Sequence, residues 1–169
     1  LYRAELLRRH AIKFPRGIKF SEDRTFNLLS IGYAGHMAYE KTAYYWRFVN
    51  TRSTVHRFHP DYFEACLNAA EAIKGAISAA WGDNDALQTA YLRQLIGGAF
   101  SAVCNYYYKT SPMSRAERTA AVRQLCQNRA LRAAITRTGI SDIRADWIMR
   151  QNAAMLGLYA RAANLKHGR

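Results

Sequence analysis

Acidic residues are scarce in this chain. Only 12 Asp and Glu stand against 25 Lys and Arg in 169 residues, which gives a formal net charge of +13 and a pI near 10.1. Such an imbalance favours polyanionic partners: nucleic acid, anionic lipid head groups or a nucleotide diphosphate. The basic residues are spread singly among apolar ones rather than gathered in a run, so solvated helix faces are the plainer account of most of them. Cysteine is also sparse. Cys66, Cys104 and Cys126 are odd in number, far apart and without C-x-x-C spacing, which excludes a thiolate zinc site and a disulfide framework. They are expected to be small buried hydrophobes in a reducing compartment. No apolar run approaches the roughly 20 residues that span a bilayer, and the first residues lack a signal-peptide core. The expected location is cytoplasmic, with peripheral contact at the inner membrane face. Repeats and low-complexity segments are absent. So are helix-turn-helix, RNA-binding and zinc-finger phrases, and no nucleic-acid partner is expected.

A hydrophobic content of 50% suffices for a packed core. Leu1 to His10 reads as a helix, with Leu6 and Leu7 opposite Arg3, Arg8 and Arg9. It opens as if in mid-protein, and a fragment of a longer chain is expected. Pro15 and Gly17 break it. The alternation at Ile18-Lys19-Phe20 suggests a short strand, after which Ser21 is a suitable N-cap for a helix through about Tyr33 that buries Phe26, Leu29 and Tyr33. Gly35 suits that helix's last turn. His36 to Tyr39 and the aromatic-rich Ala43 to Val49 suggest two further strands. A polar loop follows from Asn50 to Pro60.

Beyond Pro60 the pattern is helical. Asp61 to Trp81 and Asp85 to Tyr108 carry apolar residues at helical spacing around the turn Gly82-Asp83-Asn84. Ser111-Pro112 stops the second. Ser114 and Glu117 form a capping box for the next, a break falls at Gly139, and Ser141 caps a last helix to about Leu165. Tyr106, Tyr107 and Tyr108 are read as packing at a helix end. The expected class is α+β, mostly α, with residues 1–60 mixed and 61–169 a helical extension.

Glu22 and Asp23 end an extended run and open a helix, where acids gain from the helix dipole and from free N–H groups. That is a sufficient structural reason for the pair. A carboxylate held there can also serve as a general base. Adjacent residues do not by themselves supply the two carboxylates, about 5 Å or more apart across the bond, that a glycosidase needs. Arg47, Arg52, Ser53, Thr54 and His56 lie at and after the aromatic segment. Arginine offers diphosphate a planar fork and the hydroxyls add neutral donors. A solvated loop is the alternative. His56 and His59 have no recognised ligand spacing, and loop packing is the plainer role for both. Tyr44 and Trp46 would share one face of a strand, with Tyr45 on the other.

The run Phe14-Pro15-Arg16-Gly17-Ile18-Lys19-Phe20-Ser21-Glu22-Asp23 resembles the family 2 glycosyltransferases, in which F-P-x-G-I-x-F-x-E-D precedes the helix carrying the catalytic aspartate. Tyr44-Tyr45-Trp46-Arg47 and Arg52-Ser53-Thr54 are similar to that family's Y-Y-Y-R followed by a serine. The resemblance covers about Leu1 to Val55. It implies the later part of a GT-A domain and an inverting enzyme that transfers a sugar from a nucleotide-sugar donor to a polysaccharide or glycolipid acceptor. Asp23 would be the general base, Glu22 its orienting partner or the acceptor's, and Arg47, Arg52, Ser53 and Thr54 would lie near the donor diphosphate. His56 would be a candidate metal ligand. The family's divalent metal, Mn²⁺ or Mg²⁺, would be held mostly by residues outside this chain, since no D-x-D precedes Glu22 and Asp83-Asn84-Asp85 comes too late. The isolated chain would be inactive. The competing reading is a basic helical module that docks on an anionic membrane surface or nucleic acid.

Overall fold

The computed structural model describes residues 1–45 and 57–166. Helix α1 covers Ala4–Arg9, α2 Glu22–Gly32, α3 Tyr62–Trp81, α4 Asp85–Tyr106, α5 Arg115–Gln127, α6 Arg129–Thr138, α7 Ile143–Met149 and α8 Ala153–Lys166. No strand occurs among the described residues. The α+β expectation is therefore corrected to an all-helical fold, with no partial GT-A sheet among the described residues. Ile18-Lys19-Phe20 and His36 to Tyr39 are irregular, and so is the described start of the Ala43 to Val49 segment. The physical reason is that pleated propensity stabilises only against a neighbouring strand: Lys19 and Phe20 meet the start of α3 instead, while His36 to Tyr39 and Ala43 to Tyr45 are exposed.

The core centres on α4, which is packed by α3, α5, α6 and α8. Ile96, Ala99, Ala102 and Val103 on α4 are completely buried, as are Val122 and Cys126 on α5, Leu131 on α6, Ala145 and Ile148 on α7, and Leu156 and Ala160 on α8. The contact between α3 and α4 is lined by small residues. Gly98 comes so near α3 that a Cβ there would lie 3.0 Å from the Cys66 Sγ. Burial pushes the Cys66 thiol up to about 11, and the Cys126 thiol likewise. None of the three cysteines forms a disulfide.

Expected boundaries after Pro60 hold except in the C-terminal third. The capping box forms, with Ser114 accepting from the Glu117 N–H at 3.2 Å and Glu117 accepting from the Ser114 N–H at 2.6 Å. The next helix divides at Asn128, whose side chain accepts from the Leu131 N–H at 3.0 Å and starts α6 as an N-cap. Gly139 ends α6 in the left-handed conformation, φ 55°. The residue that caps α7 is Asp142, not Ser141. A second break, with Gln151 at φ 53°, separates α7 from α8. Arg132 bridges these breaks by donating to the carbonyls of Cys126, Ile148 and Met149, at 3.4, 3.5 and 3.1 Å.

The N-terminal segment packs against α2, and α2 packs along α3. Phe26, buried in α2, stacks on Phe14 at 4.3 Å and meets Tyr2 edge-on at 5.2 Å. His10 stacks on Tyr33 at 4.1 Å. At its far end α2 is pinned to α3: the Trp81 indole N–H donates to the Leu28 carbonyl at 3.0 Å, and the Tyr33 hydroxyl to the Ala79 carbonyl at 3.0 Å. Gly32 makes this approach possible, because a Cβ there would lie 2.5 Å from the Ala80 Cβ. α2 ends at Gly32 with Tyr33 as C-cap, ahead of the Gly35 turn expected from sequence.

Candidate functional site

The carboxylate pair lies in the first turn of α2, as its sequence suggests. What holds it there differs from expectation. Ser21 occupies the N-cap position with φ 62°, in the left-handed region, and its side chain makes no capping bond. Its hydroxyl accepts instead from the Gln94 side-chain amide at 3.1 Å, while its carbonyl receives the Thr25 hydroxyl at 3.3 Å. A non-glycine residue in this region is held by its surroundings. Here the hold is the tie to α4.

On the N-terminal side of Ser21, Lys19 pairs with Asp61 at the foot of α3. Phe20 packs on Tyr62 at 4.9 Å and on His59 at 5.6 Å. The hydrogen bond from Lys19 holds the Asp61 carboxyl below the ordinary carboxylate range. Asp61 is consequently engaged away from its own helix and does not cap α3. The segment from Phe14 to Asp23 is thus laid across α2, α3 and α4 by particular side chains.

Asp23 is exposed and Glu22 half-buried. One Asp23 oxygen, Oδ1, accepts from the Arg24 N–H at 2.7 Å, the use of a carboxylate at a helix start that chemistry favours. Neither carboxylate forms an ion pair with a described residue. A solvent-facing carboxylate with one oxygen engaged locally keeps lone pairs for a hydroxyl proton.

Arg47, Arg52, Ser53, Thr54 and His56 lie outside the described residues, as does Trp46. Tyr44 and Tyr45, just before them, are exposed at 78% and 83% and belong to no strand. His59 lies in the turn before α3, where its backbone is clamped by Asn105. The His59 N–H donates to Oδ1 at 3.0 Å, and Nδ2 donates to the His59 carbonyl at 2.7 Å.

Among the described residues, no group of three or more His, Cys, Asp or Glu side chains could hold a metal ion. Asn84, between Asp83 and Asp85, caps α4 through the Leu87 N–H at 3.0 Å. Asp85 pairs with Arg137 at 3.7 Å. These residues do not fit a divalent metal. A cleft of about 280 Å³ is lined by Pro60, Phe63, Leu67 and Tyr106 together with Gln124 and Asn128 from the α5 side. No residue of the Phe14 to Asp23 segment borders it.

Sequence reasoning missed a cationic cluster at the end of α4. The Arg118 guanidinium lies 5.7 Å and that of Arg161 5.5 Å from the centre of the half-buried Tyr107 ring. Neither arginine has an acidic partner among the described residues, and Arg118 Nε is buried without a hydrogen bond. Of the tyrosine triplet, Tyr106 and Tyr108 pack as their sequence suggests, both being buried. Burial pushes the Tyr106 phenol up to about 12. Only a prediction of which helices meet could have brought Arg118 and Arg161 to one ring.

No helix among the described residues is long and apolar enough to cross a membrane. Comparison with protein-family models, curated proteins and solved structures gives no match.

Proposed function

We propose that this chain is the acceptor-side part of an inverting glycosyltransferase, with Asp23 as general base. The observation that carries the reading is the exposed Asp23 carboxylate in the first turn of α2, at the end of the Phe14 to Asp23 phrase that resembles the family 2 enzymes. In the proposed reaction an acceptor hydroxyl gives its proton to the Asp23 carboxylate as its oxygen attacks the anomeric carbon of the donor sugar. The new C–O bond forms on the face opposite the bond to the nucleotide diphosphate, which breaks and inverts the centre. Glu22, beside the base, orients the acceptor. Arg47, Arg52, Ser53 and Thr54 supply donors to the leaving diphosphate in this reading. The described residues do not fit a divalent metal, and no step is assigned to one.

The experiment is sugar transfer to a polysaccharide or glycolipid acceptor by the protein with its donor-binding half present. Asp23→Asn is expected to lower kcat by about 10²-fold or more while the melting temperature falls by no more than a few degrees, because an exposed carboxylate in a first helical turn contributes at most about 1 kcal/mol. An unaffected rate removes Asp23 from the chemistry. For the 169-residue chain alone, titration calorimetry with UDP-sugars and Mn²⁺ is expected to show no micromolar binding.

A further inference from the structure

The inner face of α8 is spent on the core through Leu156, Gly157, Ala160 and Asn164. Its outer face is not polar, as a solvated face would be. Met155, Leu158 and Leu165 are exposed at 37%, 59% and 74%, and with the exposed Ala162 they form a stripe at the spacing of successive turns. Arg161 and Lys166 flank the stripe, and α8 contains no acidic residue. α5 packs beside α8 and adds Arg115, Arg118 and Arg123 against the single Glu117, which is engaged in its capping box. Arg118 and Arg161 converge on Tyr107. No acidic residue occurs between Asp85 and Glu117 or after Asp146.

We infer that the outer face of α8, with the neighbouring arginines of α5, is a peripheral docking surface for an anionic phospholipid bilayer. The inference does not depend on the transfer chemistry at Asp23. Charge complementarity selects the occupant. A bilayer surface offers phosphates to Arg118 and Arg161 and, just beneath them, an apolar layer to Leu158 and Leu165. Duplex DNA offers the phosphates but no apolar counterpart to the stripe. The long basic side chains can lie along the interface with their charged heads at phosphate level. The helix would lie in the plane of the interface, its inner face still in the core.

Flotation of the 169-residue chain with phosphatidylcholine vesicles, with and without phosphatidylglycerol, tests this at physiological salt. Binding is expected only where phosphatidylglycerol is present. The double variants Leu158→Asp/Leu165→Asp and Arg118→Gln/Arg161→Gln are each expected to lower the partition coefficient about tenfold or more. The first pair is exposed, so far-UV circular dichroism should match the wild type; the second leaves the stripe intact, and because Arg118 is half-buried and donates to the Ser111 carbonyl at 3.3 Å, its weaker binding counts only with a wild-type spectrum as well. Equal binding to neutral vesicles, undiminished binding by either variant, or tighter binding to duplex DNA in the same buffer would overturn the inference. Neither sugar donor nor acceptor is present, so the result is independent of the Asp23→Asn transfer assay.

Discussion

Asn105, completely buried in α4, forms two hydrogen bonds with the backbone of His59, forty-six residues earlier in the chain. It supplies the donor and acceptor that a neighbouring strand would offer, and in doing so fixes the turn from which α3 starts. Asn105→Ala is expected to destabilise the fold by about 3 kcal/mol, since two backbone groups lose their partner inside the protein. Asn105→Asp keeps the acceptor and loses the donor, so its deficit should shrink towards acid pH, where a protonated carboxyl donates again. Urea unfolding at neutral and acid pH reads both effects.

The contact between α8 and the end of α4 leaves no room at Gly157. A Cβ there would lie 2.6 Å from the Tyr107 hydroxyl oxygen and 3.0 Å from Cζ. Gly157→Ala is expected to lower stability by about 1–3 kcal/mol through overpacking. Tyr107→Phe removes the nearer of these atoms, so the double variant should lose less than the sum of the singles in a double-mutant cycle followed by thermal denaturation.

Gly32 presents the same problem between α2 and α3, where a Cβ would meet the Ala80 Cβ at 2.5 Å and the Trp81 Nε1 at 2.7 Å. Gly32→Ala is expected to push the helices apart, lengthen the Trp81 to Leu28 hydrogen bond and cost about 2 kcal/mol. Tryptophan fluorescence should report the change at Trp81, and in the transfer assay activity should fall although Asp23 itself is untouched.

Asp142 and Arg144 give the fold an acid limit. Arg144 stacks over Phe100 at 4.1 Å, donates to the Tyr159 hydroxyl at 2.9 Å and makes side-chain hydrogen bonds to both Asp142 oxygens. These last bonds, chiefly, hold the Asp142 carboxyl below its ordinary value of 3.8. A depressed folded value means that the contribution is complete above the unfolded value and is lost as pH falls through the folded one. Asp142→Asn is expected to cost about 2 kcal/mol at neutral pH. The gap between variant and wild type should close below about pH 4, as measured by thermal melts along a pH series.

Much of the helical two-thirds could be read from residue patterns, because its punctuation is local: the Gly82 to Asn84 turn, the Ser114 and Glu117 box and the Gly139 stop each act within one turn of helix. Asn128 was missed since an asparagine inside a periodic run looks like a surface residue until its side chain is seen to cap. The mixed α/β reading of residues 1–60 failed for a different reason. Ile18-Lys19-Phe20 alternates correctly, yet its partners are Asp61, His59 and Tyr62 on the approach to a helix. Strand character depends on a neighbour that a short run does not disclose. For the candidate site, the place of Asp23 at the head of a helix was readable from Ser21-Glu22-Asp23. The manner of holding it was not, because Gln94 is seventy-three residues away and nothing near Ser21 announces it.

That separation has a consequence for the order of assembly. Closing the loops that join Lys19 to Asp61 and Ser21 to Gln94 costs chain entropy that the contacts return only once α3 and α4 already stand beside each other. The short α1, without a buried residue, and α2 gain little by forming alone. The Phe14 to Asp23 segment is therefore expected to arrive late on a pre-assembled helical body, its carboxylates acquiring their setting after the core is built.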